Sequence, residues 1–237
     1  MTERTPSRQG IVAIAGPGLM GLGIAQVAAR AGHAVRLLGR DAAAAEAACL
    51  RLQAQLARQV DRGRLTADAA AAMAARIGVA SDDAALSGCT IAIESVPEDR
   101  ALKRAVLRRL DERLPPTAII ATNTSGLPVD GLADALQEPS RLLGLHFFSP
   151  VERMPLVEVV RGARTAPAVL QQALDWVRQI GQQPVLVRDG PGFFTSRVFA
   201  AYLDEAVAMV GEGVDAGRID MAGRALGRAL GPLAVMD

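Results

Sequence analysis

Apolar residues in this chain fall alternately into short β-branched runs and into helical spacing. Ile11-Val12-Ala13-Ile14-Ala15 is a compact apolar run closed by glycines, and the apolar positions from Ile24 to Ala31 recur with helical period. A strand, a tight turn and a helix are expected in that order. A second strand is expected at Ala34 to Leu38. Residues 41–76 are mostly Ala, Leu, Arg and Gln with no proline, so they read as one or two long helices with Gly63 as the break.

Further apolar runs lie at Thr90 to Glu94, Ala118 to Thr122, Leu142 to His146, Leu156 to Val160 and Pro184 to Val187. Helical segments such as Ala101 to Leu114 and Pro167 to Ile180 separate several of them. Strands alternating with helices argue for a mostly parallel sheet covered on both faces, in which a strand reads as a continuous apolar run. After Gly190-Pro191-Gly192 the pattern is purely helical. The expected fold class is therefore α/β, a Rossmann-type, doubly wound, mostly parallel sheet followed by a short all-α C-terminal segment. Residues 1–9 form a polar tail, residues 10–188 the sheet domain and residues 189–237 the helical part.

Composition narrows the function classes. The chain has 26 basic and 25 acidic side chains, a net charge of +1 and 50% hydrophobic residues, the profile of a globular protein. No basic block offers a footprint for phosphate backbones, so nucleic acid is not an expected partner. No stretch approaches the ~18 uninterrupted apolar residues of a membrane span, and the first ten residues contain no apolar leader core. A cytoplasmic location without membrane contact is expected. Cys49 and Cys89 have neither metal nor redox spacing and read as buried free thiols.

The first chemistry-bearing motif is Gly16-Pro17-Gly18-Leu19-Met20-Gly21, a G-x-G-x-x-G turn between the first strand and the first helix. Such glycines let the backbone approach a pyrophosphate closely, and the amides and dipole at the helix N-terminus favour its charge. The usual acidic partner at the end of the second strand, which accepts from the adenosine ribose, is replaced by Gly39, followed by Arg40 and Asp41. Arg40 suits a 2′-phosphate, whereas Asp41 could turn back to the ribose. Residues alone thus leave NAD and NADP open.

Several motifs in order then carry a resemblance. GPGLMGLGIAQVAARAGH, ESVPEDRALK, ATNTSGLP, GLHFFSPVERMPLVEVV and DGPGFFTSR resemble the cofactor loop, nicotinamide segment, active-site strands and domain junction of the 3-hydroxyacyl-CoA dehydrogenase family. The dehydrogenase part of multifunctional fatty-acid oxidation enzymes is similar too. The resemblance implies an oxidoreductase that oxidises L-3-hydroxyacyl-CoA to 3-oxoacyl-CoA, passing hydride to NAD, as in fatty-acid β-oxidation. It also implies an acyl-CoA substrate and a homodimer. The alternatives are an NADP-preferring dehydrogenase of a free hydroxy acid on the same fold, and a truncated dinucleotide-binding protein with little activity.

Read physically, His146 ends a strand, where open α/β sheets place ligands, and a neutral imidazole can take a proton from a secondary alcohol. Glu158 sits inside the apolar run Leu156 to Val160, where a carboxylate needs a partner, and an imidazolium is a fitting one. The resemblance implies that Ser125 hydrogen-bonds the substrate oxygen beside the nicotinamide. It also implies that Glu98 and Lys103 contact the cofactor; the glycine turn itself offers Gly16, Gly18, Leu19, Met20 and Gly21 to the dinucleotide, and the end of the second strand offers Arg40. Ser149 stands where many members have an asparagine near the cofactor, and Ser196 where many have a substrate-binding asparagine. The helical domain normally runs well past the Gly231-Pro232 segment, so an incomplete copy of it is expected here. Arg51, Arg58, Arg62 and Arg64 on the long helical segment are candidates for the CoA nucleotide, with ordinary solvated arginines as the alternative.

Overall fold

A computed structural model describes residues 10–80 and 84–236; the polar tail expected over residues 1–9 lies outside the described residues. The chain divides into two compact units, one ending at Gly190 and the other running from Pro191 onward.

The first unit is built on an eight-stranded sheet in the order β3-β2-β1-β4-β5-β6-β7-β8. Its strands are β1 (Ile11–Ala15), β2 (Ala34–Leu38), β3 (Ile77–Val79), β4 (Cys89–Glu94), β5 (Ile119–Thr122), β6 (Leu142–Phe147), β7 (Leu156–Arg161) and β8 (Gln183–Arg188). Its helices are α1 (Leu19–Arg30), α2 (Ala42–Asp61), α3 (Ala67–Arg76), α4 (Arg100–Arg113), α5 (Val129–Ala133) and α6 (Pro167–Gln179). The strands pair in parallel throughout, except that β6 runs antiparallel to β7.

Chain order reverses at β1, which pairs with β2 on one side and with β4 on the other. The crevice beyond the C-terminal ends of β1 and β4 is the switch point at which open α/β sheets bind ligands. The central strands are apolar without alternation because both faces are covered: Val12, Ile14, Ile91, Ile93 and Leu145 join Ile24, Val27 and Leu52 from the helices in one core. The antiparallel step has a local cause. Residues 148–155 form a short turn rather than a helical crossover, so β7 folds straight back along β6.

Three features depart from the sequence expectation. Ile77–Val79 is a strand at the sheet edge, too short to register as an apolar run. Val129–Ala133 is a single helical turn. β8 is a largely exposed edge strand, which explains how it tolerates Pro184, a residue without a ladder donor.

The second unit holds α7 (Thr195–Gly211) and α8 (Ala216–Ala225). Asp215 caps α8 by accepting from the Arg218 amide at 3.0 Å. α8 meets its neighbours closely, since a Cβ on Gly223 would stand 2.7 Å from both Tyr202 Oη and Pro232 Cδ. Leu226 and Leu230 fall beyond α8, although the apolar spacing from Ile219 to Leu230 reads as one helix; Gly227 at φ +84° ends the run.

Candidate active site

The site is assembled at the C-terminal ends of β1, β2, β4, β5 and β6. At the end of β1, Gly16 takes φ +93°, a conformation natural to glycine, and its carbonyl accepts from the Gly18 amide at 2.9 Å. A Cβ on Gly21 would stand 2.3 Å from the Gly16 carbonyl oxygen, so α1 packs directly onto the turn. At Gly18 a Cβ would meet nothing within 4 Å, because the turn there faces an open cleft of about 710 Å³. The cleft is walled by the turn, by Leu38-Gly39-Arg40 after β2 and by Ser95-Val96-Pro97 after β4. Helix α1 has no acidic residue in its first turn and no side-chain cap. Its leading amides, which have no intrahelical partner, fit an anionic pyrophosphate.

Beneath this cleft lies a charged cluster that joins the expected Glu98 and Lys103 to Glu94, which pattern reading passed over. Glu94, the last residue of β4, is fully buried and holds three donors: Lys103 Nζ at 2.9 Å, Thr122 Oγ1 at 2.6 Å and the Val96 amide at 2.7 Å. Lys103 is only 1% exposed, so it is not an ordinary surface base, and it reaches Glu98 at 3.2 Å as well. Glu98 in turn accepts from the Thr124 hydroxyl and from the Ser125 amide at 3.2 Å. Partial burial pushes the Glu98 carboxyl up, but the Thr124 hydroxyl, the Lys103 ammonium and the Ser125 amide outweigh it and hold it below the ordinary carboxylate value. The two acids and the lysine form one network, with Glu98 fixing the backbone around the exposed Ser125. The signal for Glu94 is akin to the one used for Glu158, a carboxylate belonging to an apolar strand.

Asn123 is a second residue that pattern reading missed. Its Oδ1 accepts from the Phe147 amide at 2.9 Å and its Nδ2 donates to Ser95 Oγ at 3.2 Å. One side chain thereby ties together the ends of β4, β5 and β6.

The antiparallel register pairs Gly144 with Val160, Leu145 with Val159 and His146 with Glu158. His146 Nδ1 stands 2.7 Å from Glu158 Oε2, with Glu158 fully buried and His146 8% exposed. A carboxylate only accepts, so the bond assigns the proton to Nδ1 and puts the basic lone pair on Nε2. The Phe148 ring lies 4.4 Å from the imidazole, centroid to centroid. A buried base held in one tautomer by a buried carboxylate is suited to proton exchange with an alcohol or carbonyl oxygen.

The remaining predicted residues divide between two clefts of the first unit. Gly16, Gly18 and Arg40 line the cleft just described. Leu19, Met20 and Ser149 line another, of about 380 Å³, together with Arg58, Arg62 and Arg64. Arg51 parts from those three arginines and lines the first cleft, where it donates to the Pro17 carbonyl at 3.4 Å. Asp41 is not turned toward a ribose site: it caps α2, accepting from the Ala44 amide at 2.7 Å, and pairs with Arg40 at 3.2 Å. Ser196 lies in the first turn of α7, in the second unit. Cys89 is buried, which pushes its thiol up to about 11, whereas Cys49 is only half-buried, contrary to expectation.

Comparison with known proteins finds relatives along nearly the whole chain. Residues 11–190 match the NAD-binding domain model of 3-hydroxyacyl-CoA dehydrogenase, and residues 192–237 match the C-terminal domain model of the same enzyme. The chain belongs to the 3-hydroxyacyl-CoA dehydrogenase family. It is 36% identical over 228 residues to a probable 3-hydroxybutyryl-CoA dehydrogenase of Bacillus subtilis, covering 95% of this chain and 79% of that one. It is 39% identical to the 3-hydroxyadipyl-CoA dehydrogenase of Escherichia coli, covering 95% of this chain and 48% of that protein. The chain thus spans about half the length of the latter relative. Among solved structures, an E. coli 3-hydroxybutyryl-CoA dehydrogenase superposes with TM-score 0.90 at 38% identity, covering 97% of this chain and 49% of that one. The corresponding enzyme from Ralstonia eutropha gives 0.90 at 32%, with coverage of 95% and 80%. The glycine turn lies within the segment that matches the NAD-binding domain, so NAD is the cofactor of this family fold.

Proposed function

We propose that this family member oxidises L-3-hydroxyacyl-CoA to 3-oxoacyl-CoA, reversibly, with NAD. The observation that carries the reading is the His146–Glu158 pair, 2.7 Å apart and buried near the C-terminal end of β6. NAD, when bound, supplies the hydride acceptor; the leading amides of α1 hold its pyrophosphate. His146 Nε2 takes the hydroxyl proton as the C–H bond at the same carbon gives up its hydride. Glu158 keeps Nδ1 protonated and stabilises the imidazolium that results; in the reverse direction the imidazolium returns the proton to the carbonyl oxygen. Ser125, its backbone fixed by Glu98, hydrogen-bonds the substrate oxygen.

Support for an acyl-CoA comes from the relatives, named for 3-hydroxybutyryl-CoA and 3-hydroxyadipyl-CoA. The second cleft adds a physical reason, since Arg30, Arg58, Arg62, Arg64 and Arg153 all line it beside Ser149, a charge pattern suited to the phosphates of CoA. The test follows NADH consumption with acetoacetyl-CoA and with free acetoacetate, in the parent and in His146→Gln. The parent should reduce only the thioester, and the variant should bind NADH yet turn over neither. Unchanged turnover in His146→Gln, or equal rates on the free acid, overturns the reading.

A further inference from the structure

We propose that Arg40 and Arg51 form a 2′-phosphate subsite at the adenosine end of the dinucleotide cleft, so that NADP(H) binds at least as tightly as NAD(H). The inference rests on the dinucleotide reading of the Gly16–Gly18 turn and goes beyond it. A Rossmann site that selects NAD places an acidic side chain at the end of the second strand, about 20 residues past the glycine turn, to accept from the ribose hydroxyls and repel a phosphate. Here Gly39 occupies that place.

The glycine is imposed by packing. A Cβ on Gly39 would stand 2.7 Å from the Ala45 amide nitrogen and 2.7 Å from the Asp41 carbonyl oxygen, both backbone atoms of the entry into α2. An acid cannot be seated there unless α2 shifts. The nearest candidate, Asp41, is committed to capping α2 and to Arg40, whose Nε it engages. None of the residues lining the cleft is an aspartate or glutamate, while Arg40, Arg51 and Arg109 all line it.

Their placement matches a phosphate on the ribose. Arg40 directly follows Gly39, its side chain is 88% exposed, and its bond to Asp41 uses Nε rather than the terminal nitrogens. Arg51 reaches across from α2 to the Pro17 carbonyl at 3.4 Å, which holds its guanidinium at the rim of the same cleft. Planar guanidinium forks recognise phosphate oxygens in pairs, and two of them beside a site without carboxylates favour a dianion over a neutral hydroxyl.

The experiment measures binding, not turnover. NADH and NADPH are titrated by nicotinamide fluorescence, and 5′-AMP and 2′,5′-ADP by calorimetry, against the parent, Arg40→Gln and Arg51→Gln. The parent should bind NADPH no more weakly than NADH and 2′,5′-ADP more tightly than 5′-AMP. Loss of one charged phosphate contact should weaken NADPH by roughly tenfold in Arg40→Gln and leave NADH within about twofold. Arg40→Lys should recover part of the loss. Should Arg51→Gln disturb the glycine turn and weaken both dinucleotides, Arg40→Gln alone decides. NADH binding with NADPH tenfold or more weaker, or equal effects of Arg40→Gln on both, refutes the subsite and leaves the dehydrogenase reading standing. Tight NADPH binding without any turnover of an acyl-CoA does the reverse.

Discussion

Replacing Glu158 with Gln changes one buried charge and almost no volume. Glu158 is fully buried with its carboxylate 2.7 Å from His146 Nδ1, so no water substitutes for the lost charge. Hydrogen bonds to charged groups are worth about 1.5–3 kcal/mol, and at about 1.4 kcal/mol per decade the loss corresponds to roughly a ten- to hundred-and-fifty-fold fall in kcat. A second effect acts in the same direction. A glutamine amide that turns its NH2 toward Nδ1 moves the imidazole proton to Nε2, where a base needs a lone pair. Steady-state rates for acetoacetyl-CoA reduction and 3-hydroxybutyryl-CoA oxidation should fall in parallel, with KM and the NADH dissociation constant within about threefold of the parent. Thermal melting separates chemistry from folding. Glutamine leaves no uncompensated charge beside the imidazole, so Tm should stay close to that of the parent while kcat falls. A variant that keeps kcat within twofold refutes the role given to Glu158.

Other outcomes follow from the charged interior. Lys103→Met leaves Glu94 buried without its cation, which costs about 3–5 kcal/mol and, at roughly 2–4 °C per kcal/mol for a unit of this size, lowers Tm by about 10 °C; adding Glu94→Gln should restore most of it, as differential scanning fluorimetry would show. His33 is buried and burial lowers its pKa, so the unfolded chain takes up its proton first; stability should be complete above the ordinary histidine value of ~6.5 and decline as pH falls from there to the lower folded value. Denaturant midpoints from pH 7.5 downward check this, and in His33→Asn the histidine part of the slope should vanish. With a thiol-disulfide exchange reagent, the half-buried Cys49 should react quickly and Cys89, buried and with its thiol raised to about 11, only on unfolding. Equal rates for the two thiols would contradict the burial assigned to them.

Much of the His146–Glu158 pairing was legible because strand pattern and side-chain chemistry agree there. A histidine at a strand end and a glutamate inside an apolar run each ask for a partner, and the antiparallel register meets both demands at once. What pattern could not supply was the register itself, since the turn over residues 148–155 decides whether β7 folds back or crosses over. Glu94 and Lys103 show the same limit. Their spacing spans a loop and the first turn of α4, so neither strand nor helix periodicity joins them, although Glu94 at the end of an apolar strand carried the same warning as Glu158. Asn123 was invisible for another reason: its bonds go to Ser95 and to a backbone amide, on strands that only the sheet order makes neighbours.

Gly39 shows how a position read as a departure from a ligand motif follows from the packing of a helix. From the sequence, its missing carboxylate and the adjoining Arg40 bear only on which dinucleotide binds. In the fold, the approach of the α2 entry to within 2.7 Å of the site of any Cβ excludes a side chain first, and the loss of the ribose acceptor follows. Asp41, the acid that sequence alone offers as a replacement, is already needed by the unpaired amides that the same helix start creates. Cofactor choice at this site is therefore coupled to the geometry of α2. Restoring an acid requires moving the helix cap, whereas altering the response to phosphate requires only Arg40, a side chain that is 88% exposed and holds no element of the fold in place.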